Sequence, residues 1–230
     1  VGILPWFPQA RFLPAEDILD IRGKSGDARD GAPVRIAVPV LRRIANFDDL
    51  DPLAGETDVD VTLVEAGDVI PADADLILLP GSKSTISDLT FLRDQGWDID
   101  IAAHLRRGGM VMGLCGGYQM LGTKLDDPDG VEGAAGDTPG LGHLGVETVL
   151  AGDKRLTQVT AHANAFDLPV RGYEIHMGRS GGPDCDRPFL TLDGRPEGAV
   201  SADGAVIGTY LHGIFADDGF RRAFLDSLAA

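Results

Sequence analysis

Met110-Val-Met-Gly-Leu-Cys-Gly-Gly-Tyr-Gln-Met-Leu121 is the stretch that decides the fold. A short apolar run reaches Gly113, a cysteine follows two residues later, and Gly116-Gly117 open a pattern with apolar residues at helical spacing. That pattern predicts a strand, a sharp turn and a helix, with Cys115 at the apex. Gly113-Leu114-Cys115-Gly116-Gly117 has the small-x-nucleophile-x-small form of a nucleophile elbow, with sulfur replacing the serine oxygen. Glycines flank the nucleophile because the turn is strained and a Cβ on either side would clash. Amide groups at the start of the following helix can stabilise a thiolate and then an oxyanion. A buried free cysteine is more often a small hydrophobe. The paired glycines and the abrupt change of period set Cys115 apart.

Working outward, Val34-Arg-Ile-Ala-Val-Pro-Val-Leu41, Val59-Asp-Val-Thr-Leu-Val64 and Asp75-Leu-Ile-Leu-Leu-Pro80 read as buried strands. Helical stretches follow at 85–95 and 99–107, the second ended by Gly108-Gly109. This alternation predicts an α/β fold, a mostly parallel sheet with helices on both faces. Sites in such sheets lie beyond the carboxyl ends of the strands, where both Pro80-Gly81-Ser82 and Cys115 fall. The second half reads differently: 144–149, 157–161, 170–176 and the pair 199–201 and 205–208 look like antiparallel strands, closed by a helix over about 217–228. Residues 1 to about 21 hold an apolar start and a short helix-like Ala15-Glu-Asp-Ile-Leu-Asp20. Gly23 to Pro33 has a linker composition.

The chain has 230 residues, 43% of them apolar, enough for one large α/β domain or a domain with a short appendage. Its opening Val1-Gly-Ile-Leu-Pro-Trp-Phe7 lacks a basic leader, a cleavage site and an initiator methionine. We therefore expect a piece of a longer or processed chain. No stretch is long and apolar enough to span a bilayer, and a net charge of −16 argues against nucleic-acid and anionic-membrane partners. The two cysteines, Cys115 and Cys185, make no disulfide framework, so a reducing cytoplasm is the expected setting. Cys185 reads as an incidental loop thiol.

A nucleophilic cysteine needs a base. Of five histidines, His104 reads as a solvated helix residue, and His143 and His162 as turn or core-edge residues. His176 alternates with Glu174 on one strand face, and both are candidates to line a site. His212 is the preferred base: it ends the run Val206-Ile-Gly-Thr-Tyr-Leu211 and is followed at once by Gly213.

Gly113-Leu-Cys-Gly-Gly-Tyr-Gln119 with the late Tyr210-Leu-His-Gly213 resembles the class I, triad-type glutamine amidotransferases. More narrowly, Leu79-Pro-Gly-Ser-Lys-Ser-Thr85, Gly172-Tyr-Glu-Ile-His-Met-Gly-Arg179 and Gly208-Thr-Tyr-Leu-His-Gly-Ile-Phe215 are similar to the cobyric acid synthase family. The resemblance implies a class I amidotransferase, flavodoxin-like fold over 33–230, with 1–32 as the tail of a preceding synthetase domain plus a linker. It implies that Cys115 attacks the side-chain amide of glutamine and His212 moves the protons. It also implies an oxyanion hole from the Gly81-Ser82 loop and Gly116, and a Gln119 that helps hold the substrate. The expected partners are glutamine, a synthetase domain of the same longer chain, and through it a corrinoid acceptor in cobalamin biosynthesis. No metal or cofactor is expected in this portion; ATP and Mg belong to the synthetase domain.

Two departures from the wider pattern stand out. The glutamate that usually follows the histidine by two residues is here Ile214, leaving a Cys–His dyad or a different carboxylate, with Glu174 as the candidate. No Gly-x-x-x-x-Gly-Lys-Ser/Thr phosphate loop is present, and Gly81-Ser-Lys-Ser-Thr85 lacks the Gly-Lys pair. Competing readings are the glutaminase of cobyrinate diamide synthase or of a cell-wall precursor amidating complex, a cysteine hydrolase on the same elbow, and a non-catalytic interaction module. The Gln119 position, the late Tyr-Leu-His-Gly and the retained Cys115 and His212 weigh against the last two.

Overall fold

Four apolar runs pair in parallel: Val59–Val64 on Val34–Pro39, Val34–Pro39 on Leu76–Leu79, and Leu76–Leu79 on Met110–Leu114. Val206–Thr209 joins on the far side of Met110–Leu114, also parallel, and carries Ala199–Val200 as an antiparallel edge. This six-stranded sheet is the centre of the computed structural model, which describes residues 33–152 and 155–229. The apolar start, short helix and linker read from residues 1–32 lie outside the described residues.

Alternation along these strands feeds two cores. Val34, Ile36, Val38, Leu76, Leu78, Met112 and Leu114 face one side; Ala37, Ile77, Leu79 and Val111 face the other. The first side is covered by the helix Asp218–Leu228, through Phe220, Phe224 and Leu225, and by a five-stranded sheet that contributes Val159, Ala161, Val170, Leu190 and Leu192. That helix starts on Asp217, whose carboxylate accepts from the Phe220 N–H at 3.1 Å, an N-cap. The second side is covered by the helices Thr85–Asp94, Trp97–Arg106 and Gly116–Leu121 and by a four-stranded sheet.

The antiparallel second half is present, and Leu168–His176 with Arg155–Ala163 forms its long hairpin. Several strands went unread, including the pair Lys124–Asp127 and Gly136–Pro139. The residues of that pair are mostly Lys, Asp, Gly, Thr and Pro, which carry little strand propensity. His104 corrects the sequence reading. It is buried rather than solvated, lies over Gly109, and its Nε2 is 3.0 Å from the Met110 carbonyl. Burial lowers its pKa.

A buried carboxyl ties the central sheet to the region of His212. Glu197 accepts from Thr209 Oγ1 at 2.6 Å and from the Tyr210 N–H at 2.7 Å. Burial pushes its pKa from the ordinary 4.5 up to about 7, although both hydrogen bonds oppose the shift. The folded state therefore holds this proton longer than the unfolded chain, and stability falls as pH rises between those two values. We expect Glu197 to account for about 3 kcal/mol of that fall. Denaturation series from pH about 4.5 to 6.5, below the range in which His212 titrates, should show the slope in the wild type and its reduction in Glu197→Gln.

Candidate active site

The elbow forms as its sequence requires. Met110–Leu114 ends at Cys115, and the helix Gly116–Leu121 begins at the next residue. Cys115 has φ 50° and ψ −106°, a region that non-glycine residues rarely occupy and that costs roughly 1–3 kcal/mol. The flanking glycines are obligatory. A Cβ on Gly113 would lie 2.6 Å from the Gly117 carbonyl, and one on Gly117 would lie 2.3 Å from the Leu79 carbonyl oxygen.

His212 is brought to this apex by Leu211–His212, which pairs with Tyr173 and Glu174 of the long hairpin. The imidazole is fully buried, and the Tyr173 ring stacks on it at 5.4 Å. Its Nδ1 lies 2.6 Å from Asp49 Oδ2, while Asp49 Oδ1 accepts from the Gly213 N–H, also at 2.6 Å. Nε2 is buried without a hydrogen bond, and Cys115 is the neighbour that, with Asp49, raises the pKa of the ring. Burial lowers the His212 pKa, but the Asp49 hydrogen bond, the Cys115 contact and the charges of both outweigh it and push the value up to about 10. An imidazolium beside sulfur is the counter-charge that a thiolate nucleophile needs.

The carboxylate on His212 is therefore Asp49. Glu174, the candidate from sequence, bonds Arg195 instead. Asp49 comes from a short 3-10 turn, Phe47–Leu50, just past the first strand. It is entered through Asn46, at φ 53°, whose side-chain amide donates to the Tyr173 hydroxyl at 2.8 Å. Its position after a strand's carboxyl end is the one available signal. Asp49 stands among Asp48 and Asp51, and nothing in the sequence separates the three.

Cys115 opens into a chamber of about 120 Å³, lined in part by Ser82, Lys83, Gln119, Glu132, Ile175 and His176. The Cys115 thiol donates to the Ile175 carbonyl at 3.4 Å. Gly81 and Ser82 pair with Ala45 and Ile44, and Ala45 and Ser82 line the chamber. A Cβ on Gly81 would lie 3.3 Å from His212 Cε1, and a Cβ on Gly116 only 2.9 Å from the Ser82 nitrogen. The Ser82 hydroxyl donates to Asp88 at 2.6 Å, so this loop offers the chamber main chain rather than side chain. Glu132 is held by its own N–H and that of Val131 on the buried Asp127 carboxylate, at 2.9 and 2.7 Å.

Gln119 lines the chamber, but its amide is largely engaged within the protein. Oε1 accepts from Thr85 Oγ1 at 3.0 Å, and Nε2 donates to the Met177 carbonyl at 2.9 Å and to the Tyr210 hydroxyl at 3.1 Å. Both amide hydrogens are used. His176 stacks on Tyr210 at 3.8 Å, and burial lowers its pKa. Cys185 is half-buried, its sulfur 3.8 Å from the Tyr118 hydroxyl.

The fold has counterparts among solved structures. The chain superposes on the PurLQS structure from Thermotoga maritima with a TM-score of 0.64 at 20% identity, over 85% of this chain and 99% of that one. A glutamine amidotransferase structure from Thermotoga maritima gives 0.55 at 15% identity, over 85% and 84% of the two chains. At such identities the likeness shows the fold, that of a class I glutamine amidotransferase. Residues 35–220 match the family model of the CobB/CobQ-like glutamine amidotransferase domain, and the chain belongs to that family. Its sequence is 60% identical over 228 residues to a cobyric acid synthase of Ruegeria sp. and 61% identical over 227 residues to one of Rhodobacter capsulatus. Each alignment covers 99% of this chain and 46% of the relative. The chain thus spans just under half the length of the curated relatives it matches. It is a glutamine amidotransferase domain closely related to cobyric acid synthase. No helix among the described residues is long and apolar enough to cross a membrane.

Proposed function

We propose that this chain is the glutaminase portion, residues 33–230, of a longer cobyric acid synthase. Its ammonia amidates side-chain carboxylates of a corrinoid in an ATP-dependent synthetase portion. The observation that carries the chemistry is the line Asp49–His212–Cys115 at the carboxyl end of the parallel sheet. The acceptor rests on the relatives' identity.

Cys115 Sγ attacks the side-chain carbonyl carbon of glutamine as thiolate, and the carbonyl oxygen becomes the oxyanion. The main-chain N–H groups of Gly116 and of the Gly81-Ser82 loop donate to it. His212 Nε2 gives its proton to the departing nitrogen, the C–N bond breaks, and ammonia leaves a γ-glutamyl thioester. Neutral His212 then takes a proton from water, whose oxygen attacks the thioester. Glutamate departs, and the thiolate and imidazolium are restored. Asp49 acts through His212, fixing its tautomer and its charge. Gln119 acts as a strut that fixes the chamber wall.

Lys83 and Glu132 place opposite charges on the chamber, where the carboxylate and ammonium of an amino acid need partners. Glu132→Gln should raise KM for glutamine about 10-fold with kcat little changed, from steady-state kinetics, because a charge-assisted bond made in ground and transition state alike is lost. The acceptor is tested with amide-labelled heavy-nitrogen glutamine, ATP, Mg and a corrinoid bearing free carboxylates, supplied to the longer polypeptide. Label in the corrinoid supports the assignment. Glutamate release with no label transferred contradicts it.

A further inference from the structure

Arg155–Ala163 pairs along its whole length with Leu168–His176, but on its other side Leu190–Leu192 reaches only Ala161–Ala163. One more bond, from the Asp193 N–H to the Thr160 carbonyl at 3.4 Å, ends that contact. Main-chain groups of alternate residues in an antiparallel strand point to the same side. Thr160 points to the Leu190–Leu192 side, so Gln158 and Leu156 direct their N–H and C=O groups there too. Among the described residues nothing pairs with them. Residues 156–159, Leu-Thr-Gln-Val, carry neither charge nor proline, and Leu156 is 68% exposed.

A groove lies on each face of this open edge. Thr157 and its cross-strand neighbour Glu174 line one, of about 450 Å³; Gln158 and its neighbour Tyr173 line the other, of about 660 Å³. An open edge with a groove on either face is the geometry of strand addition, in which main-chain bonds hold a segment and its alternate side chains enter pockets. We infer that the edge Leu156–Gln158 receives an extended segment from the ammonia-consuming part of the longer polypeptide.

This inference rests on the proposed function, and three observations choose that occupant. The relatives are more than twice the length of the matched region. Both grooves also reach the glutamine site: His176 is a wall of the first groove and of the Cys115 chamber, while Tyr173, in the second, stacks on His212. Finally, Arg179 lines the first groove and Arg171 the second, each without an ion-pair partner among the described residues of a chain of net charge −16. A strand with an apolar residue for Leu156 and carboxylates for the two arginines fits this surface. It would lie beside Tyr173 and His176 without touching Cys115, so docking directs where the ammonia goes and leaves glutamate release itself unchanged.

Hydrogen exchange of the longer wild-type polypeptide reads the edge directly. The Leu156 and Gln158 amides should exchange at least about 10-fold more slowly than unprotected amides. Exchange at the unprotected rate overturns the inference, and protection that grows with protein concentration overturns the occupant in favour of a second copy. Leu156→Glu and Gln158→Pro should each leave glutamate release and ammonia-supported amidation intact while cutting glutamine-supported amidation about 10-fold. Unchanged coupling in both variants contradicts the inference. Normal glutamate release with unprotected amides removes this inference alone, whereas absent glutamate release in the wild type removes the proposed function.

Discussion

Cys115→Ala should lower glutamine hydrolysis by at least about 10⁴-fold, because the thioester route is lost and only binding and the oxyanion donors remain. The protein should still fold. Cys115 lines the chamber, and alanine relinquishes a weak bond to the Ile175 carbonyl and the packing of a single sulfur atom. The strained φ of 50° persists in the variant, so its stability should change by less than about 1 kcal/mol. Glutamate release measured beside a denaturation curve separates the two effects. Turnover near the wild-type rate would remove Cys115 as the nucleophile.

Asp49→Ala should lower kcat about 10²- to 10⁴-fold, although Asp49 touches neither substrate nor sulfur. It removes the acceptor on His212 Nδ1 and the charge that keeps the ring protonated, and it strands the Gly213 N–H. Its diagnostic is a pH profile. In the wild type the alkaline limb follows loss of the imidazolium proton, near the His212 value of about 10. Without Asp49 the burial of His212 acts unopposed by that carboxylate, and the limb should move to lower pH. A purely structural role for Asp49 would reduce the rate without moving the limb. The folding counterpart has a definite sign: a histidine pKa raised above its ordinary 6.5 contributes stability that is fully present below 6.5 and is lost as pH rises towards about 10. Asp49→Ala should remove most of that dependence, as pH-dependent denaturation would show.

The legible parts of this sequence were those in which one residue type can satisfy the geometry. Gly113, Cys115 and Gly117 announce the elbow because a Cβ on either glycine meets main chain at 2.6 Å or less. The parallel strands announce themselves as apolar runs because both of their faces are buried. His212 was legible from its place at a strand end before glycine. Asp49 was not, since a loop aspartate needs only reach, and 163 residues separate it from the histidine it holds. His104 was misread because a histidine in a polar helix shows its burial only once the packing over Gly109 is known. Gln119 lines the chamber, but its amide partners Thr85, Met177 and Tyr210 come from three distant segments that its spacing from the cysteine does not reveal.

The central claim is that Cys115, activated by His212 and Asp49, is acylated by glutamine. A diazo-ketone analogue of glutamine, followed by peptide mass spectrometry, tests it most directly. The account predicts one adduct, on Cys115, suppressed by excess glutamine, absent in Cys115→Ala and slowed in Asp49→Ala. An adduct on Cys185 or another residue, or one that persists undiminished in Cys115→Ala, would contradict it.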